Sequence, residues 1–390
     1  MSKLEELIKE LCPNGVEHRK LSEIVKMSRG VRVVRSQLTD DGRYPVFQNS
    51  MTPLGYYSEY NCPKDTVFLI SAGAAGEIGY SDTPFWAADD CWYFECGKNL
   101  NGRFLYYALA CKQEYIFSRV RKASVPRLSR NVIDMLQIPL PPLAVQREIV
   151  RILDKFTLYS QELAAELAAR KKQYEFYRDK LLAHDKVRKV ALKELCINHD
   201  SKRRPITKNR RTVGQYPYYG ASGIVDYVDD YLFDGQYLLI SEDGANLLAR
   251  STPIAFSISG KAWVNNHAHV LEFNNKATRR YVEIYLNSIN LQKYISTAAQ
   301  PKLTQENLNR IEIPLPPLEV QERIVKVLDN FDAICSDLGI GLPAEIEKRQ
   351  QQYEFYRDKL LTFGTGSATI FTDRQTDRQT DRQTDRQTDR

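Results

Sequence analysis

Residues 138–156 read IPLPPLAVQREIVRILDKF, and residues 313–331 read IPLPPLEVQERIVKVLDNF, the same phrase displaced by 175 positions (313 − 138). A second phrase, QYEFYRDKLL at 173–182, returns at 352–361, displaced by 179. Upstream, Val125-Pro126-Arg127-Leu128-Ser129 answers to Gln300-Pro301-Lys302-Leu303-Thr304, again at 175. Self-similarity at a long, fixed period decides architecture before any local reading, and here it says that one unit is written twice. Further upstream only fragments agree: Tyr44-Pro45 with Tyr216-Pro217, and Leu69-Ile70-Ser71 with Leu239-Ile240-Ser241. The helical phrases are kept while the globular parts have diverged.

Pro139, Pro141 and Pro142 forbid a helix before them but suit its first turn, so a helix is expected to begin near Leu143. From there Ile149, Leu153, Phe156, Ser160, Leu163, Leu167, Arg170, Tyr174, Tyr177 and Leu181 alternate at spacings of four and three. That is an a/d seam of nearly five heptads, the pattern of a coiled-coil helix, about 40 residues and about 60 Å long. The second copy keeps the phase through Ile324, Leu328, Phe331, Cys335 and Leu338, and closes with Tyr353 and Tyr356. Its four extra residues fall around Gly339-Ile340-Gly341-Leu342-Pro343, where two glycines and a proline predict a break or kink. One chain supplies both helices, so antiparallel pairing along this seam is expected.

Between the helices, short Tyr/Val/Ile/Phe runs such as Thr66–Ser71 and Gln236–Ser241 alternate with turn residues and read as strands. Helical stretches at Gly102–Arg119 and Arg279–Ser296 follow them. The expected fold class is therefore α/β: two mixed α/β domains separated by two long helices that form an antiparallel coiled coil, a tandem pseudo-repeat. The division is 1–137, first globular domain; 138–184, central helix; 185–312, second globular domain; 313–363, C-terminal helix; 364–390, a tail.

Composition narrows the class. The 390 residues are 43% hydrophobic with 23 tyrosines, enough for sizeable cores. No apolar run approaches the roughly 20 residues of a membrane span, and the N-terminus lacks a signal-peptide core; a soluble, cytoplasmic protein is expected. Seven scattered cysteines, none in a Cys-x-x-Cys pair, argue against disulfides and zinc ribbons. The net charge of +6 is uneven, with six basic and no acidic side chains in 201–211. Lys202, Arg203, Arg204, Lys208, Arg210 and Arg211 form a basic cluster there that points to nucleic acid, and Arg29, Arg32 and Arg35 occupy a similar place in the first domain. The tyrosines of 216–219 are read as packing rather than base-stacking groups.

No catalytic constellation stands up. A phosphate-binding Gly-x-x-x-x-Gly-Lys-Ser/Thr loop is missing, Gly73–Gly79 lacks dinucleotide-fingerprint spacing, and no Asn/Asp-Pro-Pro-Tyr/Phe stretch for a flipped base is found. His267-Ala268-His269 would set two imidazoles on one strand face. Asp90-Cys91-Trp92 stands in the comparable neighbourhood of the first domain, and no third ligand is evident, so no metal site is expected.

Two variable domains alternating with two near-identical helices, each opened by IPLPPL-x-x-Q and closed by QYEFYRDKLL, resemble the specificity subunit of a type I restriction–modification system over residues 1–363. The resemblance implies that each globular part is a target-recognition domain reading one half of a split double-stranded DNA site. It also implies that the helices dock methyltransferase (modification) subunits, two of them, with restriction subunits joining the complex. The helix positions available for this are Ile149, Leu153, Phe156, Leu163, Leu167, Tyr174, Tyr177, Ile324, Leu328, Phe331, Tyr353 and Tyr356. S-adenosylmethionine, Mg and ATP would then belong to the partners, and this chain would be a non-catalytic recognition subunit. A fused methyltransferase or nuclease, and a coiled-coil adaptor with no DNA role, are the competing classes; methylation by the lone chain, or absence of a gel shift, would favour them.

From Thr372 the chain repeats Thr-Asp-Arg-Gln to Arg390. Such a tract cannot bury a core, and disorder is expected. A tandem ACAG tetranucleotide translates as this repeat, so the tail is also read as a slippage-prone DNA tract capable of phase variation.

Overall fold

The computed structural model describes residues 2–39, 41–183, 187–244, 246–296 and 301–363; the repeat tail lies outside them. The chain divides into two compact units that cut across the linear division. Unit 1 joins Met1–Glu162 to the stretch from Ile346 onward, and unit 2 is Leu163–Glu345.

The first long helix runs unbroken over Leu143–Leu182, 40 residues. Its counterpart is two helices, Leu318–Ser336 and Leu342–Thr362, parted at the predicted Gly339–Gly341 break. Asp337 Oδ1 accepts from the backbone N–H groups of Gly339 and Ile340 there. The helix start explains the opening phrase. Gln146 Nε2 donates to the Pro141 carbonyl and Gln321 Nε2 to that of Pro316, each at 2.7 Å, satisfying a buried oxygen freed by the proline run.

Unit 1 contains seven strands besides a short pair made by His18–Lys20 and Gln137–Pro139: β1 Val25–Arg29, β2 Tyr44–Phe47, β3 Gly55–Tyr57, β4 Thr66–Ile70, β5 Ile78–Ser81, β6 Trp86–Ala87 and β7 Cys91–Cys96. They form one sheet in the order β1-β7-β4-β5 and another in the order β3-β2-β6. Unit 2 has β8 Ile197–Asn198, β9 Val213–Gly220, β10 Gly223–Val228, β11 Phe233–Ser241, β12 Ala255–Val264 and β13 Ala268–Glu272 in a single sheet, β8-β13-β11-β12-β9-β10. The topologies are the same. Ten-residue β12 spans what β5 and β6 share in unit 1, where Pro84 interrupts the strand because it has no N–H for the ladder.

Each core is sealed by helices from both copies of the repeat. In unit 1 Val145, Ile149 and Leu153 of the first long helix share a core with Leu360 and Leu361. Phe156 stacks on Tyr356 with ring centroids 5.5 Å apart. In unit 2 Ile324 and Leu328 share a core with Leu182, and Tyr177 meets Phe331 at 5.7 Å. The pairing in each unit is antiparallel: Phe156 meets Tyr356 while Tyr159 lies under Arg349. A matched ion pair ties helix to sheet domain in each, Arg103–Asp154 at 2.9 Å and Arg280–Asp329 at 2.8 Å. One asymmetry stands out. Unit 1 carries an extra N-terminal helix, Lys3–Leu11, with Lys3 paired to Glu148; Val145 is fully buried, whereas its counterpart Val320 is 36% exposed.

Candidate nucleic-acid interface

The end of β1 with the loop that follows it, and the loop after β8, carry the basic residues singled out from the sequence, and the two loops occupy the same place in the two units. The Val31 N–H donates to the Ala87 carbonyl, and the Arg204 N–H donates to the Val264 carbonyl. Trp86 Nε1 donates to the Val31 carbonyl at 2.7 Å, and Trp263 Nε1 to the Arg204 carbonyl at 2.6 Å. Both indoles sit on strands in matching parallel register, Val46 opposite Trp86 and Tyr218 opposite Trp263. Four residues beyond each pinned carbonyl the chain makes a short 3-10 turn, Arg35–Gln37 and Lys208–Arg210.

The nine candidate cations separate by environment. Arg32, Arg35, Lys202, Arg204, Lys208 and Arg210 are exposed, with no side-chain ion pair or hydrogen bond recorded among the described residues. Arg29 is exposed, with Nε donating to the Asp89 carbonyl. Arg211 is drawn inward: Nη1 reaches Asp226 at 3.1 Å, Nε donates to the Ile206 carbonyl, and the guanidinium lies 4.4 Å from the Tyr218 ring centroid. Arg203 corrects the sequence reading most clearly. Its side chain is 12% exposed and is consumed by Glu242 at 2.6 Å, Asp200 at 3.3 Å and the Ala268 carbonyl at 2.8 Å. A guanidinium whose donors are spent inside the fold is not available to a phosphate.

Arg203 belongs to a buried network that sequence reasoning missed. His269, fully buried, places Nδ1 2.6 Å from Asp200 and Nε2 2.8 Å from the Leu303 carbonyl, and Lys302 meets Glu242 at 3.0 Å. His267 does not share its strand face, because it lies in the turn before β13, 2.9 Å from Asp243. Asp200, Glu242 and His269 are close enough together to hold a metal ion, a group that includes only one of the two histidines considered from the sequence. However, Arg203 and Lys302 already hold the carboxylates and supply the positive charge that a metal would bring. Unit 1 has Trp92 in the matching position: the Ser71 N–H donates to the Asp90 carbonyl as the Glu242 N–H does to that of His267.

Burial alone would raise the pKa of Asp200, but hydrogen bonds from His269 and the Val270 N–H, with nearby Arg203, hold it below its ordinary value. Glu242 is likewise held low, against burial, by Arg203, Lys302 and His269. A carboxylate whose folded-state pKa is depressed adds stability above its unfolded value, about 4, and loses it as pH falls through the lower folded one. Unit 2 is therefore expected to lose melting temperature between about pH 5 and pH 3. Calorimetry across that range should show a shallower acid slope for Asp200→Asn, and an unchanged slope would contradict the assignment.

The helix residues named from the seam lie along inward faces. Ile149, Leu153, Leu163, Ile324 and Leu328 are buried; Phe156, Leu167, Tyr174, Phe331, Tyr353 and Tyr356 are half-buried, and Tyr177 is at the edge of exposure. All seven cysteines are free thiols, buried or half-buried. No described helix is long and apolar enough to cross a membrane.

Comparison with known proteins agrees with this geometry. Residues 13–169 and 184–348 each match the type I restriction modification DNA specificity domain. A putative type I specificity subunit of Mycoplasma pneumoniae is 34% identical over 244 residues, 58% of this chain and 93% of that one. The crystal structure of a type I restriction-modification S subunit from M. genitalium superposes with a TM-score of 0.62 at 18% identity, covering 91% of this chain and 98% of the other. A chain from a structural study of type I R-M complex assembly and conformational transition gives 0.60 at 17% identity, covering 89% and 98%.

Proposed function

Because this chain belongs to the type I restriction–modification specificity subunits, with two DNA specificity domains, we propose that each unit reads one half of a bipartite double-stranded DNA site. One observation carries this reading: the same indole-pinned basic loop occurs once per unit, in one topological place, with different exposed side chains. A repeated position with diverged surface chemistry is what two half-sites of different sequence require. The paired helices, whose sequence is kept, are the docking surface for modification subunits, one pair of helices per subunit and so two subunits, with restriction subunits joining that assembly. S-adenosylmethionine, Mg and ATP act on those partners, and this chain contributes recognition without catalysis, in the cytoplasm. The repeat tail serves as a length-variable coding tract; clones of one lineage with invariant tract length would refute that.

The spacing between half-sites tests the bipartite reading. Glu162-Leu163-Ala164-Ala165 is followed by Glu166-Leu167-Ala168-Ala169, where the first long helix passes from unit 1 into unit 2. One more such unit lengthens the helix by about 6 Å, equivalent to at most roughly two base pairs. Methylome sequencing of cells expressing the insertion variant with its modification subunit is expected to show both half-sites intact and the gap between them changed. An unaltered gap overturns the reading.

A further inference from the structure

The proposal that each unit reads DNA does not say which side chains do so. Resting on that proposal, we infer that the turns Arg35–Gln37 and Lys208–Arg210 are the base-reading elements of units 1 and 2, and that Trp86 and Trp263 are the positioning residues that aim them.

The two turns are the same object built from different letters. Each starts four residues after a carbonyl held by an indole N–H, and indole nitrogen is a donor only, so the bond fixes both the ring and the chain it grips. No acidic residue lies in 30–39 or in 201–211. In unit 2 the far end of the turn is braced as well, by Arg211 between Asp226, the Ile206 carbonyl and the Tyr218 ring. The inward arginines thus hold the loop while the outward residues remain free to contact a ligand.

The outward side chains differ in what they can recognise. Arg35 and Arg210 are exposed guanidinium groups, which pair bidentately with guanine O6 and N7 in the major groove. Asn209, exposed and with no recorded side-chain partner among the described residues, can pair bidentately with adenine N6 and N7. Gln37 is not free in the same way, because its Oε1 already accepts the Val34 N–H at 3.0 Å, which takes one lone pair and holds the amide against its own turn. Unit 1 therefore reads guanine without a matched adenine reader on its turn, whereas unit 2 reads adenine beside guanine. Exposed Val31 and Val34 flank Arg32 in unit 1 and offer apolar contact to a thymine methyl; Arg204 and Thr207 take their places in unit 2.

The test is methylome sequencing of cells carrying the full chain with its modification subunit, together with competition binding of the purified complex on matched and mismatched oligonucleotides. Asn209→Ala with Arg210→Ala is expected to make positions in one half of the motif degenerate, lowering discrimination there roughly five- to 150-fold per lost bidentate contact. The other half should stay intact. Trp263→Phe, which keeps an aromatic side chain and removes the N–H, should relax the same half; Arg35→Ala and Trp86→Phe should relax only the opposite half. A motif unchanged in both halves for the exposed variants overturns the inference while the bipartite reading stands. A wild-type complex that methylates no two-part motif overturns that reading itself. If Trp263→Phe lowers the melting temperature, the surface variants decide alone, since they lie outside either core.

Discussion

Replacing Leu360 and Leu361 with alanine is expected to unfold unit 1 and leave unit 2 folded. Both leucines are nearly fully buried, at 6% and 3% exposure, in the core built around Val145, Ile149 and Leu153. Truncating a buried leucine costs about 2–5 kcal/mol from lost transfer energy and the cavity left behind. Two of them together approach the whole stability of an ordinary domain, about 5–15 kcal/mol. Calorimetry of the double variant should show the unit 1 transition shifted below working temperature or lost, with the unit 2 transition as an internal reference. Two unshifted transitions would mean that the closing helix does not seal unit 1. Leu182 plays the matching part in unit 2, where it is 6% exposed, so Leu182→Ala should act on the other transition.

Arg203→Ala is expected to destabilise unit 2 by about 3 kcal/mol. Removing one partner of a buried charge network costs about 3–5 kcal/mol because the remaining charges stay buried and under-compensated. The lower end applies because Lys302 still meets Glu242 and His269 still meets Asp200. Arg203→Lys should recover only part of the loss, since an ammonium cannot reproduce three fixed bonds to Glu242, Asp200 and the Ala268 carbonyl. Arg204→Ala, one residue away but exposed, should stay within about 0.5 kcal/mol of the parent. Denaturant unfolding distinguishes these variants. Well below its melting temperature, Arg203→Ala should bind DNA with an unchanged salt slope, whereas losing a phosphate-contacting cation lowers that slope by about 0.9.

Arg203 also shows where sequence reading stops. In the string Lys202-Arg203-Arg204 the three cations look alike, and nothing local says that Glu242, 39 residues away, will claim the middle one. Long-range pairing of that kind is fixed by sheet topology, and strand order could not be read from the chain. The two halves share the same strand order, yet only fragments of their strand sequences match, because a strand needs an alternation rather than particular residues. What the sequence did carry were features with rigid local rules: helix starts after proline runs, the four-residue break, and the heptad seam. The paired loops were visible as similar clusters of arginine. Their equivalence became clear only through Trp86 and Trp263, whose hydrogen bonds reach 55 and 59 residues back along the chain. The two histidines failed for a smaller reason: spacing of two places side chains together only inside a strand, and β13 starts one residue after His267.

The discontinuity of unit 1 has a consequence for how the protein is made. Its first 162 residues leave the ribosome well before Ile346, which starts the stretch that completes it. At about 5–20 residues per second the wait is roughly 10–40 s. Unit 2 is continuous from Leu163 to Glu345 and can be finished first, although it is second in the sequence. During that interval the nascent unit 1 presents Val145, Ile149 and Leu153 without Leu360 and Leu361 over them, so chaperones have most to protect at the beginning of the chain. A ribosome that stops before Ile346 releases a protein with one finished reader and one unsealed.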